Sequence, residues 1–305
     1  MKNSPNTFPV YLIATQNREE GVSGLLGHLD LAKFRGKSLA VKANFNSADP
    51  YPASTHLDTL RHFILALHAA GATKITLGER SGMGDTRNVL NKLGVFDLGG
   101  ELGFDVVVLD HLPEEAWERV DLPGSHWKNG FLLAKVFTQA DVVVQTCCLK
   151  THRFGGHFTL SLKNSVGMVA KHDPTHRRDY MMQLHGSRSQ RQKIAEINKA
   201  YACQLILMDG VQGFAGGGPD KGRLIEPGVM LSSADRVAID AVGVAILRLH
   251  GVKGPVAEGP IFQQAQIKRA VELKIGVQSP EQIEVVAVND ASQALASQIK
   301  DLLFA

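Results

Sequence analysis

Short apolar, β-branched runs alternate along this chain with segments whose apolar residues recur every three or four positions. Residues 10–15 and 38–44 are runs of the first kind, and a loop with two prolines at 47–53 follows the second. Leu57, Leu60, Phe63, Ile64 and Leu67 have helical spacing, which predicts a helix with Thr55 as its N-cap and Gly71 at its end. A strand at 74–77, a loop at 78–85 and a helix at 85–93 come next. Residues 104–110 and the run from Ala140 to Cys147 are Val-rich, as strands buried on both faces of a parallel sheet are. The second half predicts a helix at 192–202, a strand at 205–208 and a helix at 236–249 capped by Ser233. A helix at 260–273, a strand at 283–288 and a helix at 291–303 complete the pattern.

Strands separated by helices predict an α/β fold, an open and mostly parallel sheet flanked by helices. No repeat or linker interrupts it, so the expectation is a single α/β domain over residues 1–305. Between Cys148 and Gln190 the long apolar periodicity stops and Gly, His, Lys and Arg take over. This stretch reads as an elaborated, site-bearing segment after the strand from Ala140 to Cys147. Ligands of open α/β sheets lie beyond the carboxyl ends of the strands. Chemistry is therefore expected in the loops 42–51, 78–86, 147–167 and 209–222.

Composition narrows the class. The chain has 305 residues, 44% hydrophobic and 21% charged, which excludes a disordered chain, a collagen-like repeat and a disulfide scaffold. Three cysteines (Cys147, Cys148, Cys203) fit a reducing compartment. No apolar run reaches the roughly 18 residues of a membrane span, and the first ten residues lack the apolar core of a secretory signal. A cytoplasmic protein is the expectation.

The net charge of +3 hides an asymmetry. Residues 147–193 carry nine Lys/Arg against two acids, so this stretch is +7 and the remainder −4. It also holds five of the twelve histidines: His152, His157, His172, His176 and His185. Such a field steers anions inward; a solvated loop or an oligomer surface is the plainer alternative. Lys150, His152 and Lys163 lead the candidates. Gly155 and Gly156 would let backbone approach a ligand, and a helix starting near Thr159 would aim free N–H groups at an anion, with Lys163 and Asn164 in its first turns. Burial beside other cations would lower a lysine pKa and suit Lys163 or a histidine to acid–base chemistry. Arg80 could clamp an anion from the 78–84 loop, where Asp85 could equally cap a helix. Asp209 precedes a glycine-dense stretch and suits metal or hydroxyl binding, a lid, or a simple turn carboxylate. Asp240 could bear on function or only on its helix dipole. For a metal, His152, His157 and Cys147 are the candidates, although adjacent Cys147 and Cys148 would point to opposite faces of a strand.

A run of ordered motifs resembles a known family. Val41-Lys-Ala-Asn44, Thr55-His56, Gly71-Ala72, Gly78-Glu-Arg-Ser-Gly82, Leu149-Lys-Thr-His152 and Leu160-Ser-Leu-Lys-Asn164 with Gly167 come first. Met208-Asp-Gly210 with Gly216–Pro219, and Ser233-Ala-Asp-Arg-Val-Ala-Ile-Asp240, complete it. Over residues 38–250 the chain resembles the family called domain of unknown function 362. Members of that family often carry a ferredoxin-like four-iron module, but this sequence has no clustered C-x-x-C cysteines to supply one. A more distant resemblance is to the lactate racemase family, whose members bind a nickel-pincer nucleotide. It would set His152, Gly155/Gly156 and Lys163 to hold a cofactor, and Lys42 and Asn44 to contact its phosphate. Racemase activity is not carried across.

Together these features give two expectations of different kinds. One is an acid–base or redox enzyme that binds a phosphate- or carboxylate-bearing small molecule, or a metal-containing cofactor, with His152, Lys163 and Asp209 in catalytic roles. The other is a non-enzymatic binding or electron-transfer protein with a basic face for an acidic protein partner. Nucleic acid lacks support, because no recognised motif and no interleaved aromatics accompany the cations.

Overall fold

A computed structural model describes residues 7–155, 157–173 and 178–305. Its strands are β1 (Phe8–Ala14), β2 (Ser38–Lys42), β3 (Lys74–Glu79), β4 (Asp105–Val108), β5 (Trp117–Val120) and β6 (Phe131–Ala134). They continue with β7 (Val142–His152), β8 (His157–Thr159), β9 (Leu205–Gly217), β10 (Gly222–Ile225), β11 (Val229–Ser233) and β12 (Ile283–Ala287). The main sheet runs β12-β1-β11-β9-β7-β2-β3-β4, with β8 and β10 added as short hairpin partners. From β9 to β4 every neighbour is parallel; β11 alone on this path runs against both its neighbours. The mostly parallel α/β sheet expected from the pattern is the one observed.

Alternation along β2 shows how the layers form. Leu39 and Val41 face one way, onto the Leu57–Ala69 helix through Leu60, Phe63 and Ile64. Ala40 faces the other way, toward Phe131, Phe137 and Met168. Each fully buried Leu or Phe contributes about 1.5–3 kcal/mol, so both faces hold the sheet. Further along, Leu149 and Leu231 pack beneath the Arg236–Leu249 helix. Among the described residues, no helix is long and apolar enough to cross a membrane.

The structure corrects four local readings. The glycine-dense stretch after Asp209 is mostly strand: β9 runs on to Gly217 and folds back on β10. The cause is tertiary, because β7 also extends to His152 and offers its edge to the continuation. Gly213 is needed there, since a Cβ would meet the Leu149 carbonyl oxygen at 2.4 Å. Second, His56 rather than Thr55 caps the Leu57–Ala69 helix, and Asp235 rather than Ser233 caps Arg236–Leu249. Third, the 260–273 helix breaks into a 3-10 turn at Ile261–Gln263 and a helix at Ala265–Glu272. Last, residues 157–159 are strand, and the following helix is only Ser161–Asn164.

Candidate functional site

Adjacent parallel strands end together, so β7, β2 and β3 deliver their last residues to one edge. Lys42 closes β2, Glu79 closes β3, and Lys150 and His152 lie at the end of β7. The short Ser161–Asn164 helix and the turn Ser165–Met168 lie across these ends. Between them is a cavity of about 100 Å³ lined by Lys42, Asn44, Glu79, Arg80, His152, Lys163 and Asn164, among others. It opens past Met83, Phe154 and His185 onto a wider basic groove that includes Arg153, Arg188 and Arg191.

Most of the cations here are already engaged. Lys42 Nζ donates to Glu79 Oε1 at 2.6 Å and Oε2 at 2.8 Å, and both side chains are buried. Glu79 also accepts from the Phe45 and Arg80 backbone N–H groups, which keeps all its strong acceptor sites occupied. Lys150 Nζ donates to Asn44 Oδ1 at 2.7 Å, to Pro219 O at 3.3 Å and to Ala53 O. Arg80 donates to the Val169 and Val166 carbonyls at 2.8 and 2.6 Å and is fully buried. These contacts pin the loop after β3 to the 165–169 turn and freeze the cavity wall.

Lys163 differs. It is 8% exposed, lines the cavity, and among the described residues makes no hydrogen bond or ion pair. Burial, then the charges of Lys150 and Arg80, push its pKa down to about 7. Three neighbours on the same lining, His152, Thr159 and Asn164, each carry a buried polar atom without a partner: Nδ1, Oγ1 and Oδ1. Burial, followed by the Lys163 charge, drives the His152 pKa far below its ordinary value, so its imidazole stays neutral. His185 is lowered by burial, then by Lys163 and Arg80, and its ring stacks on His152 at 6.5 Å. Unpartnered buried polar atoms cost about 1–3 kcal/mol each unless something satisfies them.

Several sequence candidates lie elsewhere. Asp209 is in the middle of β9 and makes its own network. It accepts from Arg18 Nε at 2.9 Å, Thr59 Oγ1 at 2.5 Å, Tyr51 Oη at 2.6 Å and Val211 N at 3.1 Å. With its acceptor sites filled and no place on the cavity lining, Asp209 ties β9 to the Leu57–Ala69 helix. Asp209→Asn is therefore expected to lose about 1–3 kcal/mol in a urea unfolding titration, with anion binding unchanged. The N–H groups expected to point at an anion are also taken: Ser161 N and Leu162 N donate to Asp240 at 2.7 and 3.1 Å. Burial raises the Asp240 pKa to about 8 against the pull of those two bonds. Gly155 lines the outer groove rather than the cavity. Gly156 and His176 lie outside the described residues. Cys147 is buried in the apolar core, with its thiol pKa pushed up by burial. His157 is half-buried on β8, away from the cavity. Among the described residues no three His, Cys, Asp or Glu side chains converge on a metal position.

Glu79, Thr159, Gly167 and His185 were not among the candidate site residues read from the sequence. Glu79 had a signal: a lysine ending an inner strand needs a buried counter-charge, and the acid beside Arg80 ends the next parallel strand. Gly167 had one in the Leu160–Gly167 motif. A Cβ there would meet Lys42 Cε at 2.6 Å and Glu79 Oε1 at 2.8 Å, so only glycine lets the turn sit on the ion pair. Gly167→Ala is expected to destabilise by about 1–3 kcal/mol, visible as a lower midpoint in thermal unfolding.

The family model described as "Domain of unknown function (DUF362)" matches residues 39–245. No curated protein matches the chain. Among solved structures, the chain is similar to the lactate racemase apoprotein from Thermoanaerobacterium thermosaccharolyticum. The two are 13% identical, with 95% of this chain and 85% of that chain covered and a TM-score of 0.45.

Proposed function

The chain belongs to the domain of unknown function 362 family, and we propose that it binds a small carboxylate- or phosphate-bearing molecule at the β2–β3–β7 edge, with Lys163 as an acid–base group. One observation carries this reading. Among the described residues, the cavity combines a buried lysine that makes no hydrogen bond or ion pair with three buried polar atoms that have no partner, on a wall already rigidified by saturated hydrogen bonds. A structural lysine would be given a partner, as Lys42 and Lys150 are. A preorganised wall with one spare cation is what anion recognition requires. Because its pKa is about 7, Lys163 can carry or release a proton near neutrality.

The described residues do not fit an iron–sulfur cluster, because Cys147 and Cys148 are buried in β7 and Cys203 is not grouped with other donors. A metal-containing cofactor would have to bring most of its own donors, with His152 Nδ1 as the available imidazole nitrogen.

Titration calorimetry with inorganic phosphate, acetate, pyruvate and succinate tests the reading. A saturable one-site isotherm with at least one of them supports it; flat titrations with all four overturn it. The open groove of Arg153, Arg188 and Arg191, with exposed Phe154 under the Arg153 guanidinium, favours a second reading, a docking face for an acidic partner. That reading requires partner binding that weakens steeply with salt and survives Lys163→Met.

A further inference from the structure

We propose that Lys163 forms an imine with a small 2-oxo acid held in this cavity. The inference rests on the anion-binding reading and goes beyond it, from recognition to a covalent step.

Four features of the geometry point to it. The Lys163 amine faces the cavity without a partner, so nothing must be broken before it attacks a carbonyl carbon. Burial beside Lys150 and Arg80 keeps a substantial fraction of that amine unprotonated at neutral pH. Arg80 lies on the same lining and donates to backbone carbonyls rather than to a carboxylate, so its charge favours a ligand carboxylate one bond from the reacting carbon. The volume of about 100 Å³ is smaller than the roughly 150 Å³ that holds a benzene ring, which limits the part of the ligand inside the cavity to a few carbons.

The step balances without a further reagent. Lys163 Nζ bonds to the carbonyl carbon, and its proton passes to the carbonyl oxygen to give a carbinolamine. The carbinolamine hydroxyl then leaves as water with a second proton, the carbon–oxygen bond breaks, and a C=N bond remains. Asn164 Oδ1 and Thr159 Oγ1 supply polar atoms that the carbinolamine hydroxyl and the departing water can satisfy. Protonation of the imine from solvent yields an electron-withdrawing iminium.

Reductive trapping tests the inference. Full-length protein is incubated with pyruvate, or in parallel with 2-oxobutyrate, reduced with sodium cyanoborohydride, digested and mapped by mass spectrometry. The expected result is a single modified peptide in which Lys163 gains the mass of the ligand less one oxygen atom. Its yield saturates with ligand, and Lys163→Arg abolishes it. Saturable pyruvate binding by calorimetry with no Lys163 adduct overturns the imine and leaves the anion site standing. Adducts spread evenly over surface lysines, as in unfolded protein, also overturn it. If neither oxo acid binds and phosphate, acetate and succinate also give flat titrations, the anion site fails and the imine fails with it.

Discussion

Lys163→Met is expected to stabilise the folded protein by a few kcal/mol at pH 6–7 and to abolish anion binding. The lysine's ordinary pKa is 10.5, and in the fold it is pushed down to about 7. A group with a lowered basic pKa binds its proton less readily when folded than when unfolded. Below pH 7 both states are protonated and the full penalty of burying the ammonium is present. Between pH 7 and about 10.5 the unfolded state still holds its proton while the folded state sheds it. Stability therefore rises with pH across that window, and the penalty fades. The gap corresponds to roughly 5 kcal/mol, an upper figure because the cavity admits some water. Urea titrations of wild type and variant from pH 6 to 10 should show a large difference at pH 6 that shrinks steadily toward pH 10. A constant or growing difference would mean that Lys163 is not the strained cation. A linked outcome concerns binding: an anion seated beside Lys163 restores its affinity for a proton. At pH 8 binding should take up protons, read as a calorimetric enthalpy that changes with the buffer's ionisation heat.

The second large effect is expected from Glu79→Gln. Glu79 is the counter-charge of buried Lys42 and accepts two backbone N–H groups besides. The amide keeps the shape but removes the charge and turns one acceptor into a donor that faces an ammonium. Breaking one side of a buried pair costs about 3–5 kcal/mol, because the surviving charge is left uncompensated. Thermal and urea unfolding should show this loss, and anion affinity should fall as Lys42 and the 165–168 turn lose their anchor. The double variant Lys42→Met/Glu79→Leu should recover much of the stability but not the binding. A single variant within about 1 kcal/mol of wild type would show that the pair is effectively solvated and that the cavity wall is not held as described.

Much of the site was legible one residue at a time. Lys42, Asn44, Arg80, Lys150 and His152 lie at or just beyond predicted strand ends, Lys163 and Asn164 in the post-strand segment 147–167, and the structure brings them to one edge. The reason is local: apolar runs mark strands, strands in a parallel sheet end on one side, and polar residues beyond those ends have few other places to go. Asp209 satisfied the same local rule, yet β9 continues past it and Arg18, Tyr51 and Thr59 enclose it.

By itself, then, the sequence determined the α/β class, the sheet edge on which the candidate site residues gather, and the surplus of positive charge in residues 147–193. Those follow from hydrophobic periodicity and composition, which act over a few residues or on the whole segment. Only the tertiary structure decided which of the cavity's lysines are hydrogen-bonded and which, among the described residues, is not. Lys42 finds Glu79 37 positions away, Lys150 finds Asn44 106 positions away, and Asp240 takes the Ser161 N–H from 79 positions away. Pairing is a long-range contact, and its strength depends on burial that no local window encodes. The charge excess could be counted from the chain; that Lys163 is the cavity lysine without a hydrogen-bond partner among the described residues required the fold.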